Sequence, residues 1–332
     1  MTFIGRRPCL PGRDGEPGKE ACHSMDARRV CAGIVTFNPE LGRLRENLSA
    51  ISPQVSRLFV FDNGSDDSSA VRALVQEFPC ARFLPFPENR GIAVALNALA
   101  RAAKEDGASE VLFLDQDSVS TPGMVAGLQE AAGLVRASGA RLGVVGPTVH
   151  DRNLGFSNAH VEGEALVQDR RDVLTSGSLV SLQAWEAVGG YDERLFLDWV
   201  DIGFCYALRR AGFVVAITSL ATIDHEIGKR SVNVLFPAWV PVHVPFTFRD
   251  PEGRQALFSE NYPASRWEDK VRSQTILQDE FKGTDDGRFL DFSLLCTFFR
   301  GTALEPHGLE NLRAMMRGRK EGKAMLGKER GR

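Results

Sequence analysis

The run Glu110–Ser118 (EVLFLDQDS) constrains the fold more than any other stretch of this chain. Four apolar residues, 111–114, are followed by Asp115 and Asp117, which predicts a buried parallel strand that ends in a cleft. Alternate residues of a strand point to opposite faces, so we expect the two carboxylates on one side and Gln116 on the other. Hard oxygen ligands of this kind suit Mg²⁺ or Mn²⁺ held against a diphosphate. Alternatively, Asp115 caps the next helix and Asp117 is merely solvated.

Strands and helices alternate on both sides of this run. Apolar segments near 30–37, 58–61, 82–84 and 142–145 are separated by segments with helical spacing of apolar residues. This alternation predicts an α/β fold, a mainly parallel sheet with helices on both faces. Polar clusters at 36–38, 62–65 and 115–117 follow the predicted strands. Since ligands bind beyond the carboxyl ends of parallel strands, we expect these clusters to form one site.

Local signals predict further details. Asn38 is expected to cap the first helix, with Pro39 in its first turn. The segment Leu174–Val180 is expected to be a strand in which Gly177 lets a ligand approach the backbone. A helix is expected near 267–280. Together with the composition, these signals divide the chain into a disordered leader (1–28), an α/β domain (29–235) and a C-terminal helical extension (236–332).

The C-terminal extension combines an apolar and a basic segment. Residues 289–299 (FLDFSLLCTFF) are strongly apolar, and from Arg313 onward eight Lys and Arg residues stand against two Glu. One interpretation is peripheral contact with an anionic membrane face. The other is a helix packed on the domain, followed by a solvated basic tail.

Composition disfavours several classes of protein. A net charge of −3 over 332 residues argues against a general nucleic-acid binder. The six cysteines lack C-x-x-C spacing, which indicates neither a zinc site nor a disulfide framework and suggests a reducing, cytoplasmic setting. No apolar run is long enough to span a bilayer. The oligomeric state stays open.

Six motifs in order carry a resemblance to a known family. They are Ile34–Pro39 (IVTFNP), Phe61–Ser65 (FDNGS), Glu88–Ala93 (ENRGIA), Leu114–Ser118 (LDQDS), Thr175–Ser178 (TSGS) and Phe196–Asp201 (FLDWVD). Over roughly residues 30–230 the chain resembles family 2 glycosyltransferases of the GT-A fold. Within that family it is most similar to the bacterial rhamnosyltransferases that build surface polysaccharides.

The resemblance implies an inverting, metal-dependent transfer of L-rhamnose from dTDP-L-rhamnose to a lipid-linked or polysaccharide acceptor. The product would belong to O-antigen, capsule or exopolysaccharide, made at the cytoplasmic membrane face. Two alternatives are a family 2 transferase with another nucleotide-sugar donor and a degenerate relative that only binds carbohydrate. A nicotinamide dehydrogenase is disfavoured because no G-x-G-x-x-G follows the first strand, and a nucleotidyltransferase because no basic, glycine-rich loop does.

The resemblance also implies roles for single residues. The nucleotide-sugar would be bound by Thr36, Asn38, Asp62, Asn89, Arg90, Gly91, Asp115 and Gln116. The cation, Mg²⁺ or Mn²⁺, would be bound by Asp115, Asp117 and His225. Asp201 would be the catalytic base, and the acceptor or sugar pocket would include Ser176, Gly177 and Trp199.

Most of these residues have a structural alternative. Asp62 could shape a turn, Asp201 could be a helix N-cap and Trp199 could be a core residue. His225 could be an ordinary turn histidine, and a packed strand would also place a serine and a glycine at 176 and 177.

The chain departs from the family pattern at three places. Gly203 stands where an acidic residue is usual, Ala207 where an arginine is usual, and Arg272-Ser273 where an Arg-Asn pair is usual. These departures imply a changed acceptor or a reduced activity.

Overall fold

The computed structural model describes residues 3–6, 30–151, 161, 163–225, 231–236, 248–249 and 255–330. The strands in this part of the chain are β1 (Phe3–Arg6), β2 (Val30–Thr36), β3 (Arg57–Asn63), β4 (Ala81–Phe86), β5 (Glu110–Asp115), β6 (Val119–Ser120), β7 (Leu142–Asp151), β8 (Ala165–Asp169), β9 (Leu179–Ser181), β10 (Val214–His225), β11 (Ser231–Phe236), β12 (Phe248–Arg249) and β13 (Gln255–Ser259). The α-helices are α1 (Leu41–Ile51), α2 (Ser68–Gln76), α3 (Ile92–Glu105), α4 (Met124–Ala137), α5 (Leu182–Ala187), α6 (Val200–Arg210), α7 (Ala264–Glu280), α8 (Asp285–Phe299) and α9 (Gly308–Arg330).

One large sheet organises the molecule, in the order β1-β8-β10-β7-β9-β5-β2-β3-β4 with β6 paired to β10. Strands β5, β2, β3 and β4 are parallel, and β10 is parallel to β7. Strand β9 lies antiparallel between β5 and β7, so the sheet is mixed. Val35 pairs with Asp115 and Thr36 with Asp62, which brings the carboxyl ends of three strands level at one edge.

Helices cover both faces of this sheet, as the alternating pattern predicts. Strand β5 is apolar on both faces, so both faces need a covering layer of helices. Val111 and Phe113 pack in one apolar core, and Leu112 and Leu114 pack in the other. All four are at most 2% exposed. Helices α3, α5 and α6 contribute to the first core, and α1, α2 and α4 to the second. The predicted α/β fold is confirmed.

The C-terminal helices share a core with the α/β domain. Ile276 and Leu277 of α7 and Leu290 of α8 belong to the same apolar cluster as α3 and α6. A smaller cluster around the fully buried Trp267 joins α7, α8 and α9. A separate three-stranded sheet has the order β11-β13-β12. No helix in the described ranges is both long and apolar enough to cross a membrane.

Three local expectations differ from the structure. Phe3–Arg6 forms an edge strand paired to β8, and residues 7–28 of the expected leader lie outside the described residues. The expected strand Leu174–Val180 is a turn that enters the short strand β9, because Gly177 has φ +84°. Glu40, not Asn38, caps α1, since its carboxylate accepts the backbone N–H groups of the first turn.

Candidate functional site

A cavity of about 700 Å³ opens beyond the carboxyl ends of β2, β3 and β5. Its wall includes the turn after β5, the segment before α3, the turn before β9, the start of α6 and one side chain of α7. Cavities at the carboxyl edge of such sheets are the usual ligand sites of α/β proteins. The polar clusters at 62–65 and 115–117 meet at this edge, as the sequence predicts, and both contribute to the wall.

The acidic turn after β5 forms one side of the cavity. Asp115, Gln116 and Asp117 all line it, which differs from the expectation that Gln116 points away. The reason is that β5 ends at Asp115 and the next two residues form a turn, so strand alternation stops there. The side-chain oxygen of Gln116 accepts the backbone N–H of Phe37 at 2.8 Å and ties this turn to β2.

Backbone contacts hold this acidic turn in place. The N–H of Asp115 donates to the hydroxyl of Ser176 at 3.1 Å, and its carbonyl accepts from the amide of Asn47 at 2.7 Å. The carbonyl of Asp117 accepts from Nε of Arg43 at 2.8 Å. Since these contacts do not use the two carboxylates, the turn can keep its shape when the carboxylates bind a ligand.

The donor set fits a divalent cation that is shared with a substrate. Among the residues that the structure describes, no group of three or more His, Cys, Asp and Glu is placed to hold a metal. Mg²⁺ commonly takes only one or two carboxylates and fills its other positions with water and phosphate oxygens. Asp115 and Asp117 provide such a pair at the cavity wall. His225 ends β10, and its side chain lies outside the described residues.

The ends of β2 and β3 carry a buried carboxylate. Asp62 is 0% exposed, and its Oδ1 accepts from the hydroxyls of Thr36 and Ser65 at 3.2 and 2.5 Å. Its Oδ2 has no hydrogen-bond partner among the described residues. A buried unpaired carboxylate oxygen costs free energy, so this atom is a candidate for a donor group of a ligand. A turn-shaping role for Asp62 accounts for Oδ1 but not for Oδ2.

Thr36 and Asn38 act mainly as supports in this structure. Thr36 is 0% exposed and contacts β3 through its hydroxyl. Asn38 is exposed, has φ +46°, and exchanges hydrogen bonds with Asp66 at 2.8 and 3.1 Å. Neither residue lines the cavity, and the buried Asp62 does not line it either.

The segment before α3 approaches the cavity from the side of β4. The Asn89 side-chain oxygen accepts from Asn63 and from the N–H of Gly91, at 3.1 and 3.0 Å. Gly91 has φ +89°, and a Cβ there would lie 2.6 Å from the carbonyl oxygen of Phe196. Asn89 and Gly91 line the cavity, whereas Arg90 is exposed beside Glu88 and does not.

The turn before β9 contributes one of its two predicted residues. Ser176 lines the cavity and donates to the hydroxyl of Ser118 at 2.7 Å. Gly177 lies behind it, where a Cβ would be 2.6 Å from the ring of Pro147. The glycine therefore serves packing of the protein itself, not approach of a ligand.

Asp201 lies in the first turn of α6 and lines the cavity. Trp199 occupies the N-cap position with φ +72° and also lines the cavity. Asp201 is therefore not the cap, although its Oδ1 accepts the N–H of Ile202 at 2.8 Å. Burial raises the pKa of Asp201 to about 7, against the opposing hydrogen bond from Ile202. The carboxylates of Asp172, Asp198 and Asp115 raise this pKa further.

Sequence reasoning assigned no individual role to several residues of the cavity wall, although some of them lie inside the predicted clusters and motifs. These are Phe37, Asn63, Leu174, Phe196, Leu197, Asp198 and Arg266. Asp198 lies inside a motif that was singled out, and its acidic type was the available signal. Arg266 belongs to α7, and nothing in the sequence indicates that this helix returns to the site.

The three departures from the family pattern fall around α6 and α7. Gly203 and Ala207 line a second cavity of about 200 Å³ between these helices. A Cβ at Gly203 would lie 2.9 Å from Leu277 of α7, so α7 occupies space that a longer side chain would need. Arg272 pairs with Asp269 and with Glu321 and does not line the cavity, whereas Arg266 does.

Comparisons with known proteins agree with this architecture. Residues 31–172 match the family described as Glycosyl transferase family 2. The chain is 28% identical over 230 residues to the dTDP-rhamnosyl transferase RfbF of Shigella flexneri, covering 65% of this chain and 75% of that protein. It is 26% identical over 239 residues to an N-acetylglucosaminyl-diphospho-decaprenol L-rhamnosyltransferase of Mycobacterium tuberculosis H37Rv, covering 60% and 76%.

Solved structures show the same fold at low identity. TarS residues 1–349 of S. aureus, in complex with UDP-GlcNAc, align with a TM-score of 0.54 at 13% identity, covering 83% of this chain and 73% of that chain. GalNAc-T7 with UDP, GalNAc and Mn²⁺ aligns with a TM-score of 0.53 at 11% identity, covering 77% and 49%. Residues 31–172 thus match a family 2 glycosyltransferase domain, the chain is similar to rhamnosyltransferases at 26 to 28% identity, and its fold is GT-A-like.

Proposed function

We propose that this glycosyltransferase moves L-rhamnose from dTDP-L-rhamnose, with inversion, onto a lipid-linked or polysaccharide acceptor in cell-surface polysaccharide assembly. The observation that carries the proposal is the meeting of the acidic turn Asp115–Asp117 and the pKa-shifted Asp201 in one cavity. The names of the two curated relatives support the sugar and its nucleotide. O-antigen, capsule and exopolysaccharide are the products that we consider.

The nucleotide is assigned to the edge formed by β2 and β3. The unpaired Oδ2 of Asp62 would accept a hydrogen bond from the base or ribose. Thr36 holds this carboxylate, and Asn38 joins the loops after the two strands. Asn89 and Gly91 would lie beside the nucleotide-sugar, with Gln116 on the opposite wall. The exposed Arg90 would contact the donor only at the mouth of the cavity.

Asp115 and Asp117 would hold Mg²⁺ or Mn²⁺, with His225 as a proposed third ligand. When bound, the cation supplies positive charge to the diphosphate that leaves. Two carboxylates alone would leave positions for phosphate oxygens and water, which is the coordination that Mg²⁺ favours. The backbone hydrogen bonds of the acidic turn would keep both carboxylates in place without the ion.

Asp201 would act as the general base. Its carboxylate would take the proton of an acceptor hydroxyl while that oxygen attacks the anomeric carbon from the face opposite the diphosphate. A single displacement of this kind inverts the configuration at that carbon. A pKa near 7 suits this role, because about half of the carboxyl groups are then deprotonated at pH 7 and the base still accepts a proton readily. Ser176 and Trp199 would form the walls of the sugar pocket.

The mouth of the cavity suits an acceptor with an apolar part. Leu174, Phe196 and Leu197 line the cavity and are 37%, 37% and 43% exposed. Large apolar side chains at a binding mouth favour ligands that cover them. We therefore favour a lipid-linked acceptor, met at the cytoplasmic face of the membrane through the C-terminal helices.

A donor panel tests the proposal. The protein is incubated with dTDP-L-rhamnose, dTDP-glucose, UDP-GlcNAc and GDP-mannose, with Mg²⁺ or Mn²⁺ and with EDTA, and the released nucleoside diphosphate is measured. We expect turnover of dTDP-L-rhamnose that EDTA abolishes. The variant Asp201→Asn should keep nucleotide-sugar binding and lose turnover.

Two other outcomes would correct the proposal. Preferred turnover of a different donor would overturn the assignment of rhamnose while the transferase chemistry stands. Binding without turnover, in the presence of both cations and of a lipid-linked acceptor, would indicate a carbohydrate-binding relative. That second outcome is favoured only by the departures at Gly203 and Ala207.

A further inference from the structure

We infer that α7 positions Asp201, because Asp269 and Arg266 hold the segment Phe196–Trp199 through which α6 begins. The C-terminal extension would then be part of the working site and not an appendage to it. This inference rests on the proposed role of Asp201 as the base.

Asp198 is the point of contact between the segment and α7. Its backbone N–H donates to Oδ2 of Asp269 at 3.0 Å. Its two carboxylate oxygens accept from Nε and Nη2 of Arg266, at 3.2 and 3.4 Å. A guanidinium that contacts both oxygens of a carboxylate fixes direction as well as distance. Arg266 is itself fixed, since its guanidinium lies 3.9 Å from the ring centroid of Tyr262.

The other end of the segment is fixed by α3. The carbonyl of Phe196 accepts the N–H of Ile92 at 2.6 Å. The same oxygen would be only 2.6 Å from a Cβ at Gly91, so the two backbones approach closely. The segment is therefore held between the donor side of the cavity and the C-terminal extension.

The backbone at Trp199 shows why such a hold matters. This residue has φ +72°, in the left-handed region that a tryptophan adopts only when its surroundings impose it. Asp201 follows two residues later, in the first turn of α6. If the hold on Asp198 were released, relaxation at Trp199 would rotate the start of the helix and move the carboxylate of Asp201.

The ion pair between Asp198 and Arg266 also affects the electrostatic environment of Asp201. Asp198 is one of three carboxylates that raise the pKa of Asp201, together with Asp172 and Asp115. The cation of Arg266 opposes the charge of Asp198 directly. The buried Tyr191 phenol and Cys205 thiol also lie within electrostatic range, and burial keeps both of them neutral.

Four variants of the full chain test the inference: Asp269→Ala, Asp269→Asn, Arg266→Met and Asp198→Asn. We expect Asp269→Ala and Arg266→Met to lower kcat about 10-fold with the donor KM changed less than about twofold, because a misplaced group acts on the chemical step. Asp269→Asn should restore most of kcat, since its amide oxygen can still accept the N–H of Asp198.

The pH profile separates positioning from a general loss of stability. Arg266→Met should move the ascending limb of kcat to higher pH, because the charge of Asp198 is then uncompensated. Asp198→Asn should move it to lower pH. The matched control is Arg317→Met, which removes an exposed arginine of α9 that pairs with Glu268 of α7 at 2.7 Å and does not line the cavity. This control should leave kcat and the profile as in the wild type.

Hydrogen–deuterium exchange gives a readout that needs no activity. Amide protection of the peptide covering 196–203 should fall in Asp269→Ala and Arg266→Met but stay unchanged in Arg317→Met. Unchanged protection would overturn the inference, whether or not a donor is turned over. A raised donor KM with an unchanged kcat would also overturn it, because Arg266 would then bind substrate instead of positioning the base. Failure of the wild type to turn over any donor would contradict the proposed function separately.

Discussion

At the scale of single residues, the shifted pKa of Asp201 makes the reaction depend on pH near neutrality. If Asp201 is the base, kcat/KM should rise about tenfold per pH unit below pH 7 and level off above it, because only the carboxylate accepts a proton. Rates of nucleotide release measured from pH 5 to pH 9 at saturating cation check this. A flat profile across pH 7 would contradict the assignment of Asp201.

The raised pKa of Asp201 also predicts that the stability of the fold decreases as the pH rises, whereas the activity increases. A carboxyl with a pKa near 7 in the folded state and 3.8 in the unfolded state stabilises the fold below pH 3.8, and this contribution is lost as the pH rises through 7. Asp201→Asn mimics the protonated form. At pH 8 it should therefore raise the free energy of unfolding by on the order of 2 kcal/mol. Urea unfolding of both proteins at pH 5 and pH 8 tests this, and a variant less stable at pH 8 would contradict it.

Asp117 should be needed for the cation but not for the fold. Its backbone carbonyl, not its side chain, holds Arg43, so Asp117→Asn should keep the melting temperature. Turnover should fall about 100-fold or more, because the charge on the leaving diphosphate is no longer neutralised. Mn²⁺-dependent nucleotide binding, measured by calorimetry, should weaken in parallel.

The control for Asp117 is Glu88→Gln, which removes an exposed carboxylate near the mouth of the cavity. It should bind nucleotide and turn over donor like the wild type. Equal losses in both variants would mean that general negative charge, and not a cation site, attracts the ligand.

The residue types that follow the strands could be predicted from the sequence, but the directions in which their side chains point could not. The acidic turn was predicted because two carboxylates follow an apolar run, and Asp201 because the motif Phe196–Asp201 resembles the family. The side of Gln116 was predicted wrongly because nothing in the sequence marks the residue at which β5 stops. The unpaired oxygen of Asp62 depends on which hydroxyls fold back onto it, and Arg266 depends on the path of a distant helix.

At the scale of elements, the backbone that leads into α3 depends on Gly91. Any side chain at this position would displace the neighbouring backbone at Phe196. Gly91→Ala would put a Cβ 2.6 Å from the carbonyl oxygen of Phe196 at φ +89°. We expect a loss of about 2 to 3 kcal/mol in the free energy of unfolding, from backbone strain together with overpacking. Activity should fall as well, since the segment from Phe196 to Asp201 would shift.

Gly107, at the other end of α3, is the matched control. It has φ +84°, but nothing lies within 4 Å of a Cβ placed there. Gly107→Ala should therefore cost only about 1 kcal/mol, the penalty of a left-handed alanine, and leave activity unchanged. Equal destabilisation by both substitutions, measured by urea unfolding, would show that the contact with Phe196 is not responsible.

Periodicity predicted the long elements and failed where a single glycine decided the conformation. Helices with one apolar face, such as α3, were recognisable because 3.6-residue spacing repeats over several turns. The segment Leu174–Val180 has the composition of a strand, yet the left-handed Gly177 turns it before β9 begins. Composition alone does not show which sign of φ a glycine will adopt.

At the scale of the whole molecule, the order of strands lay beyond sequence reasoning. Strand β9 enters between β5 and β7 against the direction of both, and this follows from long-range pairing that no local pattern encodes. The packing of α7 against α6 likewise depends on a long-range contact that no local pattern encodes, since Leu277 of α7 packs where Gly203 of α6 leaves room. The absence of a side chain at Gly203 is thus matched to the C-terminal extension.

The exposed apolar side chains of the C-terminal helices favour contact with a membrane. On α8, Leu290 and Leu294 are buried, while Phe292, Leu295 and Phe299 are 49%, 70% and 55% exposed. On helix α9, Leu309, Leu312 and Met316 are also exposed, and the exposed Lys320 and Lys323 follow them at helical spacing. Helix α8 packs on the domain with one face, as one interpretation of the sequence predicts, and leaves its other face open, so membrane contact stays a prediction. An apolar face beside basic residues is typical of helices that lie in an anionic interface.

Flotation with lipid vesicles tests this membrane contact directly. The full chain should float with vesicles containing about one third phosphatidylglycerol and not with neutral vesicles, and added salt should weaken the binding.

Leu295→Glu should reduce the bound fraction about tenfold, since a carboxylate replaces apolar area that would enter the interface. Lys320→Glu combined with Lys323→Glu should remove the preference for anionic lipid. Leu41→Glu, which alters a side chain 40% exposed on α1, should float like the wild type. Equal loss in Leu41→Glu, or a dimer that Leu295→Glu dissociates without any flotation of the wild type, would assign the apolar face of α8 to another partner.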